Sequence, residues 1–498
     1  FEEMKLTIQN KTEYLNDYYF QTLCLLYFPG EKFQEGYESP AEASFLLEHR
    51  GNGFYCEARL SLGDRSETGV FDTNGYVPMV EMTDSDFAAL ALGKAYLQAG
   101  EALMGFPLPW GYLLGLRPVK RAKYYLDRGY SGEVVEKLFT EDYGVLPTKA
   151  RLAVTTALTE NRMLKDVGEF DCGLYLSIPF CPTKCDYCSF ISCATPRLFS
   201  LIPSYLERLK RDFVNTCNLI RELGLRLRSV YIGGGTPSIL TEEQLSDLLG
   251  CMNEHLPKEH LLEFSFEAGR PDTITEEKLH ILKEHGVDRI SVNPQTTNDE
   301  VLRGIGRKHS VADFFAVAQK ALSLGFDTVN ADLIAGLPGD TKESFEKSLS
   351  DVMALGFENI TVHTLSVKKS ASLRFREGEV YDPAGVLARE CVEYACNTLS
   401  DAGWLPYYLY RQKNIVGNAE NVSYAKPRTE NLYNVLMMEE YSTVFACGAG
   451  AITKLVSPAR DEICRIAFPK YPYEYLDTDS GIRESEIREF FSHYPRKV

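Results

Sequence analysis

Three cysteines, Cys181, Cys185 and Cys188, stand at the spacing C-x3-C-x2-C within LYLSIPFCPTKCDYCSF, residues 174–190. Three thiolates on one short loop can each take one iron of a four-iron cluster and leave the fourth iron open to a small ligand. Closed clusters use four cysteines, so an open corner suits a cluster that must touch a substrate or cosubstrate. Two other readings of these residues stay open here. A zinc ion could take them with Cys172 or Cys193 as a fourth ligand, but structural zinc favours paired C-x2-C knuckles, and no partner knuckle follows downstream. The third reading is three buried thiols that bind nothing.

A second chemical stretch is Ile232-Gly233-Gly234-Gly235-Thr236-Pro237. Glycines after a strand let backbone N–H and C=O groups come close to a ligand. No Gly-Lys-Ser/Thr follows, and the G-x-G-x-x-G spacing is absent, so this is neither a nucleotide P-loop nor a dinucleotide fingerprint. Glu267, Gln295, Arg307 and Asp332 each follow a later strand or sit in its loop. Carboxylates suit hydroxyls or an ammonium, arginine suits a carboxylate, and glutamine suits either. His363 is the histidine at a strand end, and reads as a core histidine before a catalytic one.

The elements that must carry these residues begin at Cys172, where short apolar runs alternate with amphipathic helical stretches, the pattern of β-α units and a parallel sheet. The pattern predicts strands at 174–178, 229–232, 262–266, 289–292, 328–333 and 359–363, and helices at 202–222, 241–255, 275–285, 312–324 and 342–354. Right-handed crossovers would roll these into a partial (β/α)6 barrel whose strand-end loops carry the chemistry. Residues 1–168 read as a separate α+β accessory domain, with a hairpin about Arg50-Gly51-Asn52-Gly53 and helices at 84–103 and within 131–164. Arg117, Lys120 and Arg121 in it could meet an anion, or form a solvated helix face. Residues 169–385 are the core, and 386–498 read as a smaller C-terminal α+β domain covering the substrate, with a tyrosine-rich strand at 405–413.

The composition narrows the classes. A chain of 498 residues exceeds one ordinary core. A formal charge of −17 argues against nucleic-acid binding and obliges an anionic substrate to find a local basic pocket. No run of about eighteen apolar residues predicts a membrane span. With no secretory pattern at the start, the thirteen cysteines read mostly as buried thiols in a reducing cytoplasm.

Taken together, YLSIPFCPTKCDYC, GGGTPS, SFEAGRPDT, RISVNPQTTNDEVLRGIGRKHS and NADLIAGLPGDT resemble the radical S-adenosylmethionine (SAM) superfamily, and within it the oxygen-independent coproporphyrinogen III dehydrogenase (oxidase)-like family and its haem-chaperone relatives. WGYLLGLRPVK and YYLYRQKNIVGNAENVSYAKP resemble the long, HemZ-type variant. The resemblance implies a 4Fe-4S cluster on Cys181, Cys185 and Cys188, with SAM on the open iron. It implies SAM contacts from Tyr175, Tyr187, Gly234, Gly235, Thr236, Glu267, Gln295, Arg307, Asp332 and Ser366, with Ile334, Leu337 and Pro338 as apolar walls. The implied reaction removes a hydrogen atom from a propionate β-carbon, then carbon dioxide and one electron, leaving a vinyl group. Done twice, it turns coproporphyrinogen III into protoporphyrinogen IX in haem biosynthesis. Flavodoxin or ferredoxin is the implied electron donor, with no nucleic-acid or membrane partner.

For the substrate carboxylates, Lys368, Arg411 and Lys413 are the basic candidates and Tyr408 an aromatic one, with Lys369, Arg374, Arg376, Lys426 and Arg428 nearby in sequence. The sequence departs from the characterised dehydrogenases at Phe190, where they carry a fourth cysteine, at Ser177, where they carry histidine, and at Asn293-Pro294. The first departure is shared with the haem chaperones, which hold cluster and SAM without decarboxylating. Haem carriage is therefore a second implied activity, and another radical SAM reaction on a tetrapyrrole, such as methyl transfer or ring opening, a third.

Overall fold

The structure, a computed structural model, describes residues 4–33, 39–115, 117–188, 193–366, 385–412 and 415–494. Phe190, Lys368, Lys369, Arg374, Arg376 and Lys413 lie outside them. The chain divides into two compact units, Phe1–Leu158 with Leu409–Glu420, and Thr159–Tyr408 with Asn421–Val498.

The first unit is built on a four-stranded sheet in the order β1 (Lys5–Asn10), β2 (Ala41–Arg50), β3 (Gly53–Leu62) and β4 (Arg65–Asp72). β1 runs parallel to β2, and β2 and β3 form the antiparallel hairpin closed by the expected turn, with Arg50 opposite Gly53. A long helix, Asp84–Met104, starts at a capping box between Thr83 and Asp86 and ends at left-handed Gly105. Its Ala91, Ala95, Tyr96 and Ala99 join Phe20, Phe45, Leu47 and Leu60 in the core. A buried polar group ties the segment Leu409–Glu420 into this unit. Glu420, fully enclosed, accepts from Trp110 Nε1 at 2.9 Å and from Lys149 Nζ at 2.5 Å. The sequence reading assigns that segment to a C-terminal domain; the buried carboxylate, which must be paired where it lies, explains its position here.

The second unit holds an eleven-stranded sheet. Six strands are parallel and consecutive: β5 (Asp171–Ile178), β6 (Arg226–Gly234), β7 (Glu263–Gly269), β8 (Arg289–Val292), β9 (Thr328–Ala335) and β10 (Asn359–Thr364). Their helices start within one residue of where the sequence predicts. Thr241 caps Glu242–His255 in a capping box with Gln244, Thr275 caps Glu276–Glu284, and Ser310 caps Val311–Ser323 with Asp313. This is the mixed α/β fold with a parallel sheet that the pattern predicts.

Residues past 385 do not stand apart as a third layer. β11 (Leu405–Tyr410) and β12 (Asn421–Ala425) extend the sheet beyond β10, while β13 (Thr443–Cys447), β14 (Ile452–Val456) and β15 (Ile463–Ala467) extend it beyond β5. β13 pairs in parallel with β5, Thr443 opposite Cys172 and Cys447 opposite Leu176. Both strands are buried almost throughout, as strands inside a parallel sheet must be. A polar clip fastens the end of this pair. Ser177 Oγ donates to the Ala449 carbonyl at 2.9 Å, and the Tyr205 hydroxyl donates to the Ser177 carbonyl at 2.7 Å while accepting from Ala449 N–H at 2.9 Å.

Candidate functional site

The cysteine loop leaves the C-terminal end of β5. Cys181 and Cys185 are buried and Cys188 is half-buried, and none of the three is in a disulfide. The loop is held by main-chain bonds: Cys181 N–H to Cys193 O at 3.1 Å, Cys188 N–H to Cys185 O at 3.1 Å and Asp186 N–H to Ile305 O at 3.1 Å. The glycine run closes over it from β6, with Gly235 N–H donating to Ile178 O and Thr236 N–H to Phe180 O, both at 2.8 Å. A Cβ on Gly235 would stand 2.6 Å from the Phe180 carbonyl oxygen and 2.8 Å from Cys181 Sγ, so no larger residue fits there unless the loop moves. Gly234 takes φ +121°, a conformation that favours glycine. Two donors reach the sulfurs: Thr236 Oγ1 lies 3.4 Å from Cys181 Sγ, and Arg270 Nη1 lies 3.7 Å from Cys185 Sγ.

The neighbouring strands contribute a polar group. Burial, together with the charge of Asp332, pushes the Glu267 carboxyl up to about 7, against the Gly234 N–H, His363 and the Tyr231 hydroxyl. Burial also pushes Asp332 upward, but His363, Asn330 and Thr361 outweigh it and hold that carboxylate below its ordinary range. His363 Nε2 lies 3.7 Å from Asp332 Oδ2, and Asn330 Nδ2 donates to Asp332 Oδ1 at 2.8 Å. One member of the carboxyl pair is therefore an ionised acceptor and the other a carboxyl poised between its forms near neutral pH. Gln295 holds a positive φ of 69°, with its N–H on Asp332 O and its carbonyl accepting from Ile334 N–H, both at 2.9 Å. Arg307, buried, donates to the Tyr187 hydroxyl at 2.8 Å. Beside Glu267, three tyrosines stack: Tyr231 on Tyr433 at 4.6 Å between ring centres, Tyr175 on Tyr433 at 5.9 Å and Tyr175 on Tyr231 at 6.2 Å.

A sequence model of the radical SAM superfamily matches residues 175–352. The oxygen-independent coproporphyrinogen-III oxidase-like protein HemZ of Bacillus subtilis is 36% identical over 401 residues, 80% of this chain and 80% of its own length. The chain belongs to the radical SAM superfamily, in its coproporphyrinogen-III oxidase-like family. Haem chaperone HemW of Bacillus subtilis is 33% identical over 63% of this chain and 80% of its own length. Among solved structures, coproporphyrinogen III oxidase of Escherichia coli, a radical SAM enzyme, aligns with a TM-score of 0.51 at 23% identity, over 66% of this chain and 73% of that one. At that identity the likeness is one of fold.

Radical SAM proteins carry a 4Fe-4S cluster and SAM, and the residues here fit both groups. The cluster loop offers three thiols, with hydroxyl and guanidinium donors aimed at two of the sulfurs and a glycine packed where a Cβ would collide with the third element of the cradle, the Phe180 carbonyl. Among the described residues no three His, Cys, Asp or Glu side chains gather as a single ion would require. A cubane makes no such demand, because each thiolate takes a different iron. For SAM, the strand ends provide an ionised carboxylate and a second carboxyl, beside a glycine run whose Gly235 and Thr236 N–H groups are engaged by the Ile178 and Phe180 carbonyls.

The radical SAM reading of the sequence also has gaps. The sequence ranks His363 as a core residue, whereas its ring lies beside Asp332 at the strand ends. The sequence reading singles out neither Tyr231 nor Tyr433 nor Arg270. Arg270 follows β7 by one residue, so the strand-end rule could have found it. Tyr231 lies two residues before the glycine run and on the same face as Gly233. Ser366 is half-buried just past β10, and Ile334 and Leu337 are buried. Tyr408 is buried, its ring 5.2 Å from that of Tyr407.

Arg411 lies in the first unit. Its Nη1 donates to the carbonyls of Leu113 at 3.2 Å and Gly115 at 3.4 Å, and its Nη2 to Asn418. Lys426 lies over the Trp404 ring at 4.6 Å. Arg121 is engaged by Asp86 at 3.2 Å and the Tyr143 hydroxyl at 2.7 Å, in the wall of a cavity of about 290 Å³ within the first unit. No helix among the described residues is long and apolar enough to cross a membrane.

Proposed function

We propose that this chain oxidatively decarboxylates two propionates of coproporphyrinogen III to vinyl groups, without oxygen, giving protoporphyrinogen IX. What carries the reading is 36% identity to a coproporphyrinogen-III oxidase-like protein over four-fifths of the chain, joined to a strand-end site of matching chemistry. Cys181, Cys185 and Cys188 hold the cluster. Gly234, Gly235, Thr236, Tyr175, Tyr187, Glu267, Gln295, Arg307, Asp332 and Ser366 hold SAM. When bound, the two groups supply a one-electron cleavage that takes a hydrogen atom from the substrate β-carbon. Carbon dioxide then leaves, and one electron passes to an acceptor.

The chain's own residues position and exclude. Asp332, kept ionised by His363 and Asn330, accepts from ligand hydroxyls or an ammonium. Arg307 fixes Tyr187 inside the cysteine loop. The three stacked tyrosines bring aromatic surface beside Glu267, and aromatic surface suits a tetrapyrrole. Lys368, Lys413 and Tyr408 are the proposed substrate contacts. Arg411 is not carried forward, because its guanidinium serves the Leu113 and Gly115 carbonyls. A flavodoxin or ferredoxin in the cytoplasm is the proposed donor.

A second reading, haem carriage by the same core, is favoured by two observations: 33% identity to a haem chaperone, and Phe190 in the place of a fourth cysteine. Anaerobic incubation of reconstituted protein with coproporphyrinogen III, SAM and a reductant separates the two. Carbon dioxide with vinyl products supports decarboxylation. Tight haem binding without turnover replaces it with carriage, and a methylated or linearised product with other tetrapyrrole chemistry. Alanine at any of the three loop cysteines should abolish the brown cluster; full iron content in all three variants would refute the ligand assignment.

A further inference from the structure

Arg270 is a charged side chain in a place the proposed chemistry leaves unexplained. It is 3% exposed and stands immediately after β7, three residues past Glu267. Its guanidinium is oriented from one side by Asp272: Nε donates to Oδ1 at 2.9 Å and Nη2 to Oδ2 at 2.8 Å. That bidentate grip leaves Nη1 to face the cysteine loop. There Nη1 donates to Thr183 Oγ1 at 2.8 Å and to the Thr183 carbonyl at 3.3 Å, and it lies 3.7 Å from Cys185 Sγ. A fork of fixed geometry thus joins the strand end that carries Glu267 to one of the three loop sulfurs.

A surface arginine would serve solubility, but this one has left water, and burial of a cation is costly unless its donors are used. Its carboxylate partner compensates the charge and aims it. Behind the pair lies His309, also buried, with neither ring nitrogen hydrogen-bonded among the described residues and Nδ1 4.0 Å from Asp272. Arg307, on the Tyr187 hydroxyl at 2.8 Å, is a second buried cation whose charge bears on Asp272 and Cys185, but it is Arg270 that places a guanidinium nitrogen 3.7 Å from the Cys185 sulfur.

Hydrogen bonds to cluster sulfurs and nearby charge set a cluster's reduction potential. A cationic donor at a ligating sulfur favours the reduced form, which carries one more negative charge. We propose that Arg270 is a positioning residue for the cluster: its Nη1 orients Cys185 and, through that sulfur, raises the potential at which the cluster takes its electron. This rests on the assignment of the three cysteines as cluster ligands.

The test uses the full chain, reconstituted anaerobically, with iron and sulfide assayed first and the cluster then titrated by electron paramagnetic resonance in the absence of SAM. Arg270→Gln should load iron like the wild type and be at least about tenfold less reduced at a fixed potential, a shift of about 59 mV to the negative for one electron. Asp272→Asn removes the compensating charge and should move the potential in the opposite direction. Arg270→Lys keeps the charge without the fork and should fall between the wild type and Arg270→Gln. An Arg270→Gln midpoint equal to the wild type overturns the proposal, as does Asp272→Asn moving in the same direction as Arg270→Gln. Should Arg270→Gln fail to hold iron, Asp272→Asn decides alone, and an unmoved midpoint there overturns the proposal. A wild-type chain that takes up no iron sinks the cysteine assignment as well, an outcome distinct from iron taken up with an unmoved midpoint.

Discussion

Gly235→Ala is a one-carbon test of the cradle around Cys181. The new Cβ would lie 2.6 Å from the Phe180 oxygen, 2.8 Å from Cys181 Sγ and 3.0 Å from the Phe180 carbonyl carbon. Comfortable contacts between heavy atoms begin near ~3.5 Å, so the loop must retreat by most of an ångström. Two main-chain bonds at 2.8 Å, from Gly235 and from Thr236, hold it where it is. Overpacking of this kind costs about 1–3 kcal/mol. The loss of unfolded-chain freedom on replacing glycine returns about 0.4–1 kcal/mol. The net is a destabilisation of about 1–2 kcal/mol, a factor of about 5–30 in any equilibrium that needs the native loop. The urea midpoint of the apo-protein reads the first effect, and iron taken up per chain at limiting iron reads the second. Gly304→Ala is the control, since a Cβ there meets nothing within 4 Å in the last turn of helix Asp299–Gly304, and alanine should be stabilising by up to about 1 kcal/mol. A Gly235→Ala protein with wild-type midpoint and wild-type iron uptake would show that the close approach is not a constraint.

Asp332→Asn should weaken SAM binding by about 10–150-fold, the range for a hydrogen bond to a charged group, while iron loading is unchanged; calorimetric titration with an unaltered Kd would count against the assignment. Glu267→Gln probes the raised carboxyl. A folded value of about 7 against an ordinary 4.5 means the native state holds the extra proton in that window, so the stability Glu267 confers falls as pH rises from about 4.5 to about 7 and is level above it. The difference in urea midpoint between wild type and Glu267→Gln should follow that fall, and a difference independent of pH would refute it. Glu420→Ala leaves Lys149 buried without its carboxylate and should cost about 3–5 kcal/mol, seen as an early unfolding transition; a midpoint within error of the wild type would show that the pair contributes little.

Local chemistry was readable where a single residue type decides it. Thr241 and Thr275 cap helices because their hydroxyls take an orphan N–H, and β8 and the helix Ile202–Glu222 run between the residues that the apolar pattern predicts. Cys181, Cys185 and Cys188 declare themselves by type and spacing. What was hidden depends on partners far along the chain. TVFAC at 443–447 reads as any apolar run; only its pairing with β5 makes it part of the core sheet. Glu420 looks like a surface acid until Trp110 and Lys149 enclose it. Arg411 seemed free for a substrate because backbone carbonyls, its actual partners, leave no mark in a sequence. His363 and Arg270 show the same blindness in reverse, since their roles come from Asp332 and Asp272 aiming them.

The clip of Ser177, Tyr205 and Ala449 has a consequence for the life of the chain before it is finished. Ser177 and Ala449 are 272 positions apart, yet they fasten the strand that delivers the cysteines. At roughly 5–20 residues per second of synthesis, β5 waits about 15–55 s on the ribosome with its outer edge unpaired after it has emerged. Such an edge is a template for mispairing. Strand β13 therefore acts as a late stopper for that edge, and a copy without it would carry the cysteine loop on a strand with one side unpaired.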